Sequence, residues 1–137
     1  MLEFTLYTKI SPSKSPQSTF PKYIYKLTTF SEIPSLLGNN KNLVDMLGMI
    51  IEVAEPTWVH LSAQPNPTIK RDVILKDTND LQLKVTLWGR RATQFDIRGV
   101  YDPSNPKLVI ALFVGGLIRS YQGSRFQMYY YHHAHCP

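Results

Sequence analysis

Residues 70–88, KRDVILKDTNDLQLKVTLW, decide the fold. Lys70–Asp77 and Leu81–Trp88 are both rich in apolar and β-branched residues, and Thr78-Asn79-Asp80 between them has the composition of a turn. The stretch reads as two consecutive strands. In the second, Leu81, Leu83, Val85 and Leu87 fall on one face by period-two alternation, and Gln82, Lys84, Thr86 and Trp88 on the other. The leucine–valine face belongs to a core. Trp88 is then expected on the wet face beside Lys84, a poor use of a large apolar surface unless something stacks on it. The plain alternative is a strand-end Trp covered by the helix that follows. In the first strand, Val73 and Leu75 share a face with Arg71, which sits at the strand mouth. Lys70, Asp72, Ile74 and Lys76 alternate on the other face.

Working outward, the prolines divide the rest of the chain. Pro12, Pro16 and Pro21 mark one irregular stretch, Pro34 a second, Pro56 to Pro67 a third, and Pro103 with Pro106 a fourth. Between them lie further strand candidates: Leu2–Ile10, Leu43–Val53, the continuous apolar run Leu108–Val114, and the aromatic Arg125–Tyr131. Helix signals are few. Arg90–Asp96 reads as one short helix, and Ser31–Leu37 as a helical turn with Ser31 as N-cap and Pro34 in its first turn. Gly115-Gly116 inside a strand suggests a bulge or sharp coil of the kind barrels use to turn corners, and Gly48 the same in Leu43–Val53. Five or six strands with one short helix between the third and fourth fit a small closed β-barrel better than a sandwich.

The whole-chain figures agree. A length of 137 residues suits one domain, with 43% hydrophobic and 18% charged residues. Collagen, coiled coil, disulfide scaffold and membrane span are set aside on composition. Cys136 is the single cysteine, so no intramolecular disulfide forms. The longest apolar run, Leu108 to Ile118, is far shorter than the roughly 20 residues of a bilayer-spanning helix, and the N-terminus does not read as a signal peptide.

Fifteen Lys and Arg against ten Asp and Glu give +5, which permits an anionic partner. Distribution says more than the total. Residues 103–137 hold Lys107, Arg119 and Arg125 and no acid. Arg119-Ser120-Tyr121-Gln122-Gly123-Ser124-Arg125 reads as a hairpin with an aromatic between two arginines. Lys70 and Arg71 end the long loop Glu55–Ile69, where a phosphate is met or where two cations simply face water. Trp58 in that loop is either an extra stacking group or a core anchor. His132, His133, His135 and Cys136 are nearly contiguous and lack a second ligand cluster, so no zinc site is expected. The Walker loop and nucleophile elbow are both missing, and Asp77 with Asp80 reads as turn chemistry. Neither an enzyme nor a cofactor is expected.

Taken in order, LVDMLGMIIEV (43–53), KRDVILKDTND (70–80), LKVTLWG (83–89), ATQFD (92–96) and VIALFVGGLIRSYQGSRFQ (109–127) resemble the large subunit of replication protein A. They are most similar to its second central oligonucleotide/oligosaccharide-binding (OB) domain. The resemblance implies an all-β, five-stranded Greek-key barrel with one short helix between strands 3 and 4 and an N-terminal strand or extension. Residues 1–137 form one domain on this reading: lead-in 1–42, barrel 43–131, tail 132–137. It implies single-stranded DNA as ligand, with Trp88 and Tyr121 stacking on bases and Lys70 and Arg71 on phosphate. Lys84, Arg119 and Arg125 join them along the backbone path. It further implies nuclear work in DNA replication, repair or recombination beside other OB domains or subunits. The alternatives are a protein-interaction OB module and a specialised meiotic or telomere paralogue. The chain departs from the family pattern in its thinly charged loop WVHLSAQPNPTI (58–69), in Arg90 and Arg91 where acids are usual, and in its tyrosine-rich end strand.

Overall fold

A computed structural model describes residues 7–9, 24–37, 43–105, 107–121 and 125–130, with backbone alone for 120, 121 and 125–130. The expected strand Leu2–Ile10 falls largely outside them, and its described residues Tyr7–Lys9 form no strand; the hairpin tip 122–124 and the tail from 131 onward lie outside them as well.

Six strands and one short helix follow in chain order: β1 (Leu43–Val53), β2 (Thr57–Val59), β3 (Thr68–Lys76), β4 (Gln82–Trp88), α1 (Arg90–Gln94), β5 (Ile110–Tyr121) and β6 (Arg125–Tyr130). The sheet order is β1-β5-β6-β4-β3-β2, and an added β1–β3 pairing closes five of the strands into a barrel. β4 and β6 run parallel, and the other pairs are antiparallel. This is the five-stranded OB barrel. Its closure depends on the length of β1. Residues Leu43–Met49 pair with β5, and Met49–Val53 pair with β3, with a register shift between Ile50 and Glu52. A shorter strand would serve one neighbour only.

The hairpin expected at 70–88 forms with Asn79 at its centre. The Asp77 carboxylate accepts the backbone N–H of Asn79 at 2.8 Å and of Leu81 at 2.9 Å. Asp80 takes a positive φ of 60°, which aspartate tolerates better than most residues. Inward alternation holds in both strands: Val73, Leu75, Leu83, Val85 and Leu87 are buried with Val44, Met46, Ile50, Val53, Phe113 and Ile118 from the strands around them.

Three sequence expectations need correction. The turn over Phe30–Leu36 is a 3-10 helix whose N-cap is Thr29, not Ser31. Thr29 donates its N–H to the Glu32 carboxylate at 2.8 Å and its hydroxyl at 2.9 Å, so the capping acid chose the start. Gly48 lies in unbroken β1–β5 register rather than at a bulge. A Cβ there would meet Phe30 Cζ and Leu75 Cβ at 3.0 Å, so the glycine admits the Phe30 ring. The stretch Glu55–Ile69 is not all loop, because β2 pairs with β3 inside it.

The bulge expected at Gly115-Gly116 is present. Gly115 has φ 72°, and the β1–β5 register shifts opposite it between Val44 and Met46. Asp45 fills that shift. Its carboxylate accepts the N–H of Gly115 at 3.0 Å and of Lys26 at 3.3 Å, while its carbonyl accepts Thr28 N–H at 2.8 Å. One side chain thus ties the lead-in, β1 and the bend of β5 together.

Candidate nucleic-acid interface

Residues directly opposite each other in paired strands share a face of the sheet. Applied strand by strand, this rule builds the site. Across β3, β4, β6 and β5, one row runs Ile74–Lys84–Gln127–Arg119. The next runs Asp72–Thr86–Tyr129–Leu117. Lys70 pairs with Trp88 at one end, and Tyr121 pairs with Arg125 at the other. Alternation puts Lys70, Trp88, Lys84, Arg119, Tyr121 and Arg125 all at outward register positions. Lys84 and Arg119, two strand spacings apart, are separated by about 10 Å of sheet. Six of the seven residues expected from sequence therefore share one face.

Arg71 is the exception, and its expected phosphate contact gives way to a structural one. It is 8% exposed on the inward face of β3. Its guanidinium donates to the Phe95 carbonyl at 2.9 Å and lies 5.9 Å from the centre of the Phe95 ring. Phe95 ends α1, where carbonyls lack helical partners and a cation is favoured. Arg71 pins the helix end to β3.

Trp88 is on the expected face but is not exposed. Only 9% of its surface meets solvent, so the expectation of an open, wet Trp is corrected. The exposed tryptophan is Trp58 on β2, at 68%, which is therefore no core anchor. By register Trp58 lies opposite Ile69, on the reverse face of the sheet from Lys70. Arg90 and Arg91 of α1 face solvent.

Polar groups on the shared face are organised among themselves. Lys70 Nζ lies 2.9 Å from Asp72 Oδ2, and Lys84 Nζ lies 3.8 Å from the same oxygen. The Thr86 hydroxyl, fully buried, donates to Asp72 Oδ1 at 2.7 Å. Sequence reasoning passed over Asp72 and Thr86. A signal was available: the two lie equally far from Asn79, so the hairpin's symmetry alone sets them opposite each other. Arg119 is exposed. No group of three or more His, Cys, Asp or Glu fit to hold a metal occurs among the described residues, and His132–Cys136 lies outside them.

Comparison with known proteins adds three findings. The family described as Replication protein A OB domain matches residues 33–133. No curated protein matches. Among solved structures, a chain of a replication protein A heterotrimer bound to single-stranded DNA is similar at 20% identity and TM-score 0.57, over 84% of this chain and 27% of that one. The second OB-fold domain of replication protein A from Methanococcus maripaludis is similar at 16% identity and TM-score 0.51, over 76% of this chain and 88% of that one. The chain thus spans about a quarter of the heterotrimer chain it resembles.

Proposed function

Because this chain belongs to the replication protein A OB-domain family, we propose that it binds single-stranded DNA on the outward face of β3, β4, β6 and β5. The observation that carries the reading is the register that gathers Lys70, Lys84, Arg119, Tyr121 and Arg125 on that face. Lys84, Arg119 and Arg125 meet phosphates, and Lys70 joins them from β3. Tyr121 stacks on a base. Trp88, opposite Lys70 and nearly closed over, stacks only along the edge it leaves open. Four cations less the Asp72 charge leave about three phosphates to neutralise, so log K falls against log salt with a slope near −2 on single strands. Sequence preference is slight, since every base offers a π-face. The role is binding and not catalysis.

The domain is of the large-subunit, second-central type, one module of a nuclear multi-OB assembly in DNA replication, repair or recombination. The motif series from LVDMLGMIIEV to SYQGSRFQ supports that assignment. Linked neighbours then raise an affinity that one module alone keeps low. The protein-interaction reading is favoured by one observation, the exposed apolar residues Leu47, Ile110, Leu112 and Val114 on the β1–β5 side. Titration of a labelled oligo-dT of about 15 nucleotides, long enough for one OB site, against its duplex form separates the two. Binding to the single strand alone is the expected result. No binding at low salt removes the DNA reading in favour of the protein one.

A further inference from the structure

Asp72 is an acid on the basic face, between Lys70 and Lys84, and it is held there. Thr86, wholly buried beneath it, fixes one carboxylate oxygen. The other oxygen takes the Lys70 ammonium at 2.9 Å and has the Lys84 ammonium at 3.8 Å. The backbone is held as well, since the Asp72 carbonyl accepts Ala54 N–H at 2.9 Å. The carboxylate therefore has little freedom to swing away when an anion arrives. A phosphate that reaches Lys70 must share its ammonium with a fixed negative charge.

We infer that Asp72, by occupying the Lys70 and Lys84 ammonium groups, acts as a built-in brake on nucleic-acid affinity. The inference rests on the reading of this face as the single-strand site. Its physical basis is charge. Two ammonium groups and one carboxylate present a net single positive charge where two lysines alone would present two. A phosphate about 5 Å from the carboxylate, at water-like dielectric, feels a repulsion equivalent to about four-fold in affinity. Removing the carboxylate also returns about one cation to the counterion balance, which steepens the salt slope by about 0.7 on a single strand. A brake of this kind suits a module whose linked neighbours supply affinity.

Asp72→Asn tests this with little change of shape. The amide oxygen still accepts the Thr86 hydroxyl, and only the charge is lost. Labelled oligo-dT titrated at several salt concentrations is expected to bind about four-fold more tightly at low salt, with the slope steeper by about 0.7. A folded variant that binds no more tightly, with an unchanged slope, overturns the inference. If the asparagine variant fails to fold by circular dichroism, Asp72→Ser, a smaller uncharged polar residue, carries the same expectation. The outcomes separate cleanly. Wild-type protein that fails to bind single strands sinks the reading of the face and the brake with it. Wild-type binding without a gain in either variant sinks the brake alone.

Discussion

Two aspartates fasten the two sides of this barrel, and they do so differently. On the β1–β5 side, Asp45 accepts backbone N–H groups from Gly115 and Lys26. On the β3–β4 side, Asp72 accepts side chains: the Thr86 hydroxyl and the Lys70 ammonium. The surfaces around them differ in the same way. Leu47, Ile110, Leu112 and Val114 stand open on the first side. On the second, Lys70, Asp72 and Lys84 are half-buried and Trp88 is buried. Polarity and exposure are thus inverted between the two. On the polar face the charged groups satisfy one another through Asp72. Asp45 is built into the fold, whereas Asp72 is built into the surface that the fold presents.

The comparison breaks most easily at Trp88. Trp88→Ala on the closed side is expected to cost about 3–5 kcal/mol of stability, whereas Ile110→Thr on the open side stays within about 0.5 kcal/mol. Urea denaturation of both variants measures the difference. Equal losses would mean that the closed side is not packed as described. Asp45→Ala comes next. It leaves the part-buried Gly115 N–H without its partner, at a cost of about 1 kcal/mol, while the exposed Lys26 N–H turns to water. Its salt slope for oligo-dT should match wild type, in contrast to a change at Asp72. A slope that moves with Asp45 would erase the distinction between the two aspartates.

The smallest effect lies outside both sides, at the capped 3-10 turn. The Thr29 N–H and hydroxyl hold the Glu32 carboxyl below its ordinary value of 4.5. A lowered folded value means the contact stabilises the fold above pH 4.5, and that the contribution is lost as pH falls through the lower folded value. Glu32→Gln should remove that part of the acid sensitivity. Unfolding midpoints taken on either side of pH 4.5 check it, and identical pH profiles for the two proteins would contradict it.

Much of the fold was legible because its signals are local. Apolar and β-branched composition between turn signals located β1, β3 and β4 to within two residues, and the glycine pair marked the bend of β5. What escaped depended on contacts between distant residues. Thr29 displaced Ser31 as the cap because Glu32 reached back to it. Gly48 is explained by the Phe30 ring, which arrives from 18 residues upstream, and by Leu75 on β3. The site was half legible in the same sense. Alternation assigned Trp88 and Lys84 to the outward face, but no single-strand pattern reports what covers a residue, so a wet Trp88 and a covered one stood as open alternatives. Arg71 was placed inward by alternation, yet two adjacent cations at a loop end read as a phosphate grip until Phe95 was seen beside the guanidinium.

The central claim is that the charges gathered by register on β3, β4, β6 and β5 hold a single strand. Salt dependence of oligo-dT binding, for wild type and for the double variant Lys84→Gln with Arg119→Gln, tests it most directly. Wild type should give a slope near −2, and the folded double variant should fall to about −0.7 as two phosphate contacts are lost. A double variant with wild-type affinity and an unchanged slope would contradict the account.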